Sequence, residues 1–172
     1  ALPTELDARA DLKSARAFKI AMPCGPHDGL AGMQENLEAL ATARASIGSD
    51  LPLAIDCFMS WNLAYTVEFA RRAEEFGLAW IEEPLPVQAI DDHAALRGMI
   101  SPVRVAAGEH IFQPSLAYAY LASAAVDIMQ VDVTWCGGLR VASALAAEAI
   151  ERGVTFAPHL GGIQPWTVHL LT

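Results

Sequence analysis

The sequence predicts an α/β chain of the (β/α) TIM-type barrel class, holding about six of the eight βα units that complete such a barrel. Three observations predict it. Short apolar runs close on polar residues at positions 56, 82, 109, 132 and 159, at intervals of 26, 27, 23 and 27 residues. Each interval contains a helical pattern, and strands apolar along their whole length belong to a parallel sheet covered by helices. No GxGxxG follows the first strand, so the fingerprint of a dinucleotide-binding doubly wound sheet is missing.

In chain order, residues 1–16 read as a polar, helical segment and AFKIAM (17–22) as the first strand. PCGPHDG (23–29) is a turn, and residues 30–47 carry helical spacing that Gly48 terminates. LPLAID (51–56) is the second strand. Asn62 suits the N-cap of a helix over 63–76, which Gly77 stops. LAWIE (78–82) is the third strand, and a Pro-containing loop leads to a helix near 90–98. VRVAAGE (103–109) is the fourth strand, with a helix over 114–125. VDIMQVD (126–132) is the fifth, followed by the loop TWCGG (134–138) and a helix over 139–152 closed by Gly153. VTFAPH (154–159) is the sixth strand, and GGIQPW turns into a final stretch ending at Thr172.

The 172 residues are 53% hydrophobic, enough for a sizeable core, and no linker interrupts the series. Eleven Lys and Arg against 20 Asp and Glu give a formal net charge of −9, which argues against nucleic-acid and anionic-membrane partners. Cys24, Cys57 and Cys136 are odd in number and lack CxxC spacing, so a reduced, cytoplasmic compartment is expected. No apolar run reaches the roughly 18 residues of a membrane span. A complete barrel takes eight strands and roughly 250 residues, so this chain is expected to be the internal part of a longer polypeptide.

Barrel enzymes build their sites at the C-terminal ends of the strands, and the polar residues of interest fall there. Asp56, Glu82 and Glu109 each close a strand in successive units. One such acid alone is as well read as a solvated loop residue; three in register suit Mg2+, a hard cation that takes a few carboxylates. Glu83 is expected to point to the opposite side of its strand from Glu82, in a supporting role. Asp132 and His159 close the next two strands, and a carboxylate beside an imidazole makes a general base near neutral pH. Lys19, read as ending the first strand across the barrel from His159, is either a site residue or a surface lysine. His110 follows Glu109 and is expected at the mouth, while His27 in its loop is a weaker candidate. Trp61, Trp135 and Trp166 either line a pocket or pack in the core or a lid. Gly137 and Gly138 allow a tight turn into the next helix.

The order Asp56, Glu82 in WIEEPL, Glu109 in GEH, Asp132 in MQVDVTWCGG and His159 in APH resembles the barrel domain of the enolase superfamily, mandelate racemase subgroup. Within it, DCFMSWN, GPHDG, GEH and DIMQVDVTWCGGL are most similar to sugar-acid dehydratases of the L-rhamnonate dehydratase type, over about residues 10–166. The resemblance implies that Asp56, Glu82 and Glu109 bind Mg2+, which would grip the substrate carboxylate and stabilise an enediolate. It implies that His159, oriented by Asp132, removes the α-proton of an aldonate. His159 or His110 would then help expel the β-hydroxyl, giving a 2-keto-3-deoxy sugar acid. Where the subgroup's racemases carry Lys-x-Lys, this chain has Lys19-Ile20-Ala21, which leans toward one-base dehydration. An epimerase or racemase of the same subgroup, and a catalytically silent barrel, are the alternatives. A separate N-terminal capping domain, a last barrel strand outside this chain and a homo-oligomeric state are further expectations.

Overall fold

Six short apolar segments form one sheet, and each is parallel to its neighbours in the order β1 to β6. A computed structural model describes residues 15–159 and 164–172. The polar segment read at 1–16 lies almost wholly outside these residues, and the turn read at 161–166 partly so. Among the described residues the strands are β1 (Phe18–Ala21), β2 (Leu53–Asp56), β3 (Leu78–Glu82), β4 (Arg104–Ala107), β5 (Ile128–Met129) and β6 (Thr155–Phe156). The helices between and after them are α1 (Gly29–Ile47), α2 (Leu63–Arg72), α3 (Ile90–Ile100), α4 (Pro114–Ala122), α5 (Leu139–Glu151) and α6 (Pro165–Leu171). The strand order runs in sequence without a reversal, which is the winding of a barrel wall and not of a doubly wound sheet.

Local chemistry explains the element ends. Asn62 accepts a hydrogen bond from the Tyr65 backbone N–H at 2.9 Å, the expected N-cap of α2. That helix stops at Arg72, and a 3-10 turn (Glu74–Phe76) covers the rest of the run read as helical to 76. A second 3-10 turn, Pro26–Asp28, occupies the loop before α1. Gly137 and Gly138 have φ of 113° and 91°, and the Gly138 N–H bonds Val133 O at 2.9 Å to start α5, the expected tight turn.

The longer helices each bury one stripe beneath the surface. Met33, Asn36, Leu40 and Ala43 of α1 are buried at helical spacing, as are Ala142, Leu145 and Ala149 of α5. The apolar ones among these, with the fully buried Leu53, Ile55, Ile81, Val105 and Met129 of the strands, form one continuous core. At about 1.5–3 kcal/mol for each large apolar side chain taken from water, this core is the main support of the strand ends. Trp61 belongs to it: it is 2% exposed, packs edge-on to Tyr65 and donates to Cys24 O at 2.9 Å. Buried Asn36 pins the same loop, exchanging bonds with the Cys24 N–H and C=O at 3.0 and 2.9 Å.

All strands but β3 are shorter than the sequence suggests, and three end before the polar residue read as closing them. β4 ends two residues before Glu109, and β5 and β6 end three residues before Asp132 and His159. The extended path continues all the same, because Gln130 N bonds Ala107 O at 2.9 Å and His159 N bonds Val131 O at 3.2 Å. Lys19 does not end its strand; it is the second residue of β1, paired with Ala54. The apolar run of β1 extends past Lys19, so the lysine side chain alone reaches the strand ends. No helix among the described residues is long and apolar enough to cross a membrane.

Candidate metal centre and acid–base dyad

A strand whose neighbours cover both faces accepts charge only where the chain emerges, and β2 and β3 both emerge on an acid. Asp56 and Glu82 are register partners on these adjacent strands and are 5% and 2% exposed. Asp56 Oδ1 accepts from the Phe58 N–H at 3.1 Å, closing a turn whose next two residues, Phe58 and Met59, have φ of 48° and 58°. Glu82 Oε2 accepts from Trp80 Nε1 at 3.2 Å and from Gln130 Nε2 at 2.9 Å. Lys19 Nζ donates to Asp56 Oδ2 at 2.9 Å and to Glu82 Oε1.

Glu109 completes the group. Gly108, at φ 140°, lets the chain pass close to the residues that follow β5; a Cβ there would lie 3.0 Å from the backbone nitrogens of Gln130 and Val131. One carboxylate oxygen from each of Asp56, Glu82 and Glu109 lies within 4.8 Å of the others. Ligands about 2.1 Å from an octahedral Mg2+ sit about 3–4 Å apart, so the oxygen set fits such an ion after small side-chain rotations. Burial pushes the Glu109 carboxyl up, His159 opposes the rise, and Glu83 adds to it; the net position is above the usual range. A set of acids held at this depth suits a cation.

The second cluster adjoins the first. His159 Nδ1 lies 3.0 Å from Asp132 Oδ2, and His159 Nε2 lies 3.4 Å from Glu109 Oε2. Burial pushes Asp132 up, but hydrogen bonds from Thr134 and His159, and from the Thr134 and Trp135 backbone N–H groups, outweigh it and hold the carboxyl below its usual range. An ionised Asp132 fixes the proton on Nδ1 and leaves the lone pair of Nε2 facing the mouth.

Glu83 corrects the expectation of opposite sides. Period-two alternation ends with β3 at Glu82, and Glu83 adopts φ 42°. Its carboxylate therefore also reaches the mouth, 2% exposed, where His110 Nδ1 lies 2.6 Å from Oε2. Glu83, Glu109 and His110 form a second group within 4.8 Å. Trp135, 44% exposed, stands between the two histidines, with ring centroids 6.0 Å from His110 and 5.9 Å from His159. His27 is exposed on its 3-10 turn, outside this cluster, and Trp166 is 44% exposed at the start of α6.

Sequence reading missed Trp80, Gln130 and Thr134. Each carried a signal: Trp80 and Gln130 lie two residues before Glu82 and Asp132, on the same face of an extended chain, and Asp-x-Thr favours a local side-chain turn. A cavity of about 460 Å³ lined in part by Arg97, Arg104 and Asp127 lies at the opposite, N-terminal end of the strands. Arg97 pairs with Asp127 at 2.6 Å across it, which ties α3 to the segment before β5 as a structural staple.

A family profile described as Enolase C-terminal domain-like matches residues 2–171. Among solved structures, an L-rhamnonate dehydratase from Gibberella zeae is similar with a TM-score of 0.87 and 31% identity, covering 93% of this chain and 40% of that one. A rhamnonate dehydratase from the same organism, complexed with Mg, has a TM-score of 0.84 and 32% identity over 90% of this chain and 37% of that one. A racemase from Streptomyces coelicolor A3(2) with bound magnesium has a TM-score of 0.86 and 25% identity over 99% of this chain and 45% of that one. The chain thus spans about two fifths of the length of these relatives.

Proposed function

The chain belongs to the Enolase C-terminal domain-like family, and from that membership we infer that it carries the catalytic centre of a Mg2+-dependent acid-sugar dehydratase. The substrate class is an aldonate of the L-rhamnonate type, and the product a 2-keto-3-deoxy sugar acid. The observation that carries this reading is the junction of the two clusters at Glu109: its carboxylate faces Asp56 and Glu82 on one side and His159 Nε2, 3.4 Å away, on the other. A base beside a cation site is what α-proton removal from a carboxylate requires, since that proton is very weakly acidic.

Asp56, Glu82 and Glu109 would hold Mg2+, which when bound supplies electrophilic stabilisation of the substrate carboxylate. Trp80 and Gln130 keep the Glu82 carboxylate turned toward the cluster. Asp132 holds the His159 tautomer, and His159 Nε2 takes the α-proton. The β-hydroxyl then leaves with a proton from His159 or from His110, which Glu83 orients. Similarity to rhamnonate dehydratases at 31% and 32% identity supports dehydration over the racemase reading.

The test is a panel of aldonates offered to the intact protein with and without Mg2+, read as 2-keto acid formed, with His159→Asn as control. Mg2+-dependent keto acid that the control abolishes is the expected result. Deuterium entering the substrate from D2O with no loss of water would instead mark an epimerase.

A further inference from the structure

Lys19 is tied to the acid cluster more tightly than any other cation among the described residues. Its Nζ donates to Asp56 Oδ2 at 2.9 Å and to Glu82 Oε1, bridging the register pair of β2 and β3. The two carboxylates are almost wholly out of water, while the lysine side chain keeps 36% of its exposure. Among the described residues no other cationic group pairs with either acid. Two adjacent buried carboxylates need a cation, and Lys19 is the one that bridges them. An ion bonded at about 2.1 Å to the two oxygens that hold the ammonium, Asp56 Oδ2 and Glu82 Oε1, would take the ground on which Nζ sits. The β1 backbone is fixed by its pairing with β2, Lys19 against Ala54. The flexible four-carbon stem is not fixed, and it allows a compact ammonium to swing away without moving the strand.

We propose that Lys19 is an exchangeable occupant of the metal centre: its ammonium and a divalent cation compete for Asp56 and Glu82, and metal entry turns the lysine out toward solvent. The proposal rests on the reading of Asp56, Glu82 and Glu109 as a Mg2+ site. It makes Lys19 a positioning residue, one that neutralises the acids until the ion arrives and so couples its own placement to metal occupancy.

Calorimetric titration of Mg2+ into the chelator-treated intact protein, its Lys19→Met variant and its Asp56→Asn variant tests this, with melting temperatures taken with and without Mg2+. Lys19→Met is expected to bind Mg2+ about tenfold more tightly. It should melt several degrees lower than wild type without metal, and level with it at saturating Mg2+. Crystals of the wild-type protein grown with and without Mg2+ give a readout that depends on no variant. Nζ should lie within about 3.2 Å of both acids without the ion and beyond hydrogen-bond reach of at least one with it. Mg2+ binding that needs Asp56 but is indifferent to Lys19→Met, with Nζ unmoved in the two crystals, overturns the exchange and leaves the metal site standing. No Mg2+ binding by any of the three proteins overturns both.

Discussion

Asp132 Oδ2 lies 3.0 Å from Nδ1 of His159, although 27 residues separate the two in sequence. The contact works in one direction: the carboxylate fixes which nitrogen carries the proton, and the other nitrogen is left as the base. Asp132→Asn keeps the size of the side chain and removes that control. Exchange of the substrate α-proton with solvent deuterium should fall by about 10²–10⁴-fold, the usual worth of a positioned acid–base group. His159→Asn should lose as much, and the double variant no more than the worse single one, since the pair acts as a unit. A double variant much slower than either single would show that the two act independently.

The same carboxylate carries a pH signature. Its folded-state pKa is depressed, so its contribution to stability is present above the unfolded value of about 3.9 and is lost as pH falls through the lower folded value. The stability gap between wild type and Asp132→Asn should therefore narrow as pH is taken from about 5 to 2. Urea titrations across that range give the gap directly, and one that widens in acid would mean that folding raises the Asp132 pKa.

The acid cluster makes a different prediction. A cation that binds the folded chain and not the unfolded one stabilises it by mass action, about 2.7 kcal/mol at a hundred times the dissociation constant. Mg2+ should raise the melting temperature of the chelator-treated wild-type protein and leave Asp56→Asn unmoved. Equal rises in both proteins would place the ion elsewhere.

The strands, their parallel order and the three acids were legible because buried strands read as unbroken apolar runs, and a charge ending such a run stands out. Asp132 and His159 were legible from the same interval even though β5 and β6 are short, because the extended path outlasts the regular pairing. What could not be read was direction. Alternation sent Glu83 to the far side, and only the positive φ at that residue turns it back toward His110. Lys19, read as ending its strand, lies within it, and its long stem reaches the cluster from there. Sequence spacing fixes where a Cα emerges, and the last few ångströms belong to side-chain length and local φ.

That Glu83–His110 pair separates the two halves of the proposed reaction. If the imidazole helps the β-hydroxyl to leave, His110→Asn should reduce 2-keto acid formation while the α-proton still exchanges with deuterium. Glu83→Gln, which keeps a weaker acceptor beside Nδ1, should fall between. Equal loss of exchange and dehydration would instead assign His110 to holding the cluster together.

Gly108 gives the most local prediction. Its φ of 140° lies where side-chain-bearing residues rarely go, and a Cβ would stand 3.0 Å from the backbone nitrogens of Gln130 and Val131. Neither neighbour can yield cheaply: the Gln130 N–H is bonded to Ala107 O at 2.9 Å and its side chain holds Glu82, while Val131 O accepts from the His159 N–H at 3.2 Å. Gly108→Ala should thus cost about 1–3 kcal/mol of stability from the backbone alone. Because Glu109 follows directly, the relaxation that relieves the clash must carry its carboxylate away from Asp56 and Glu82. The variant should lose Mg2+ affinity beyond what its lower stability explains, measured by calorimetry well below its melting temperature. A fully folded Gly108→Ala protein with wild-type affinity would mean that the close approach of β4 to the Gln130 segment does not set the position of Glu109.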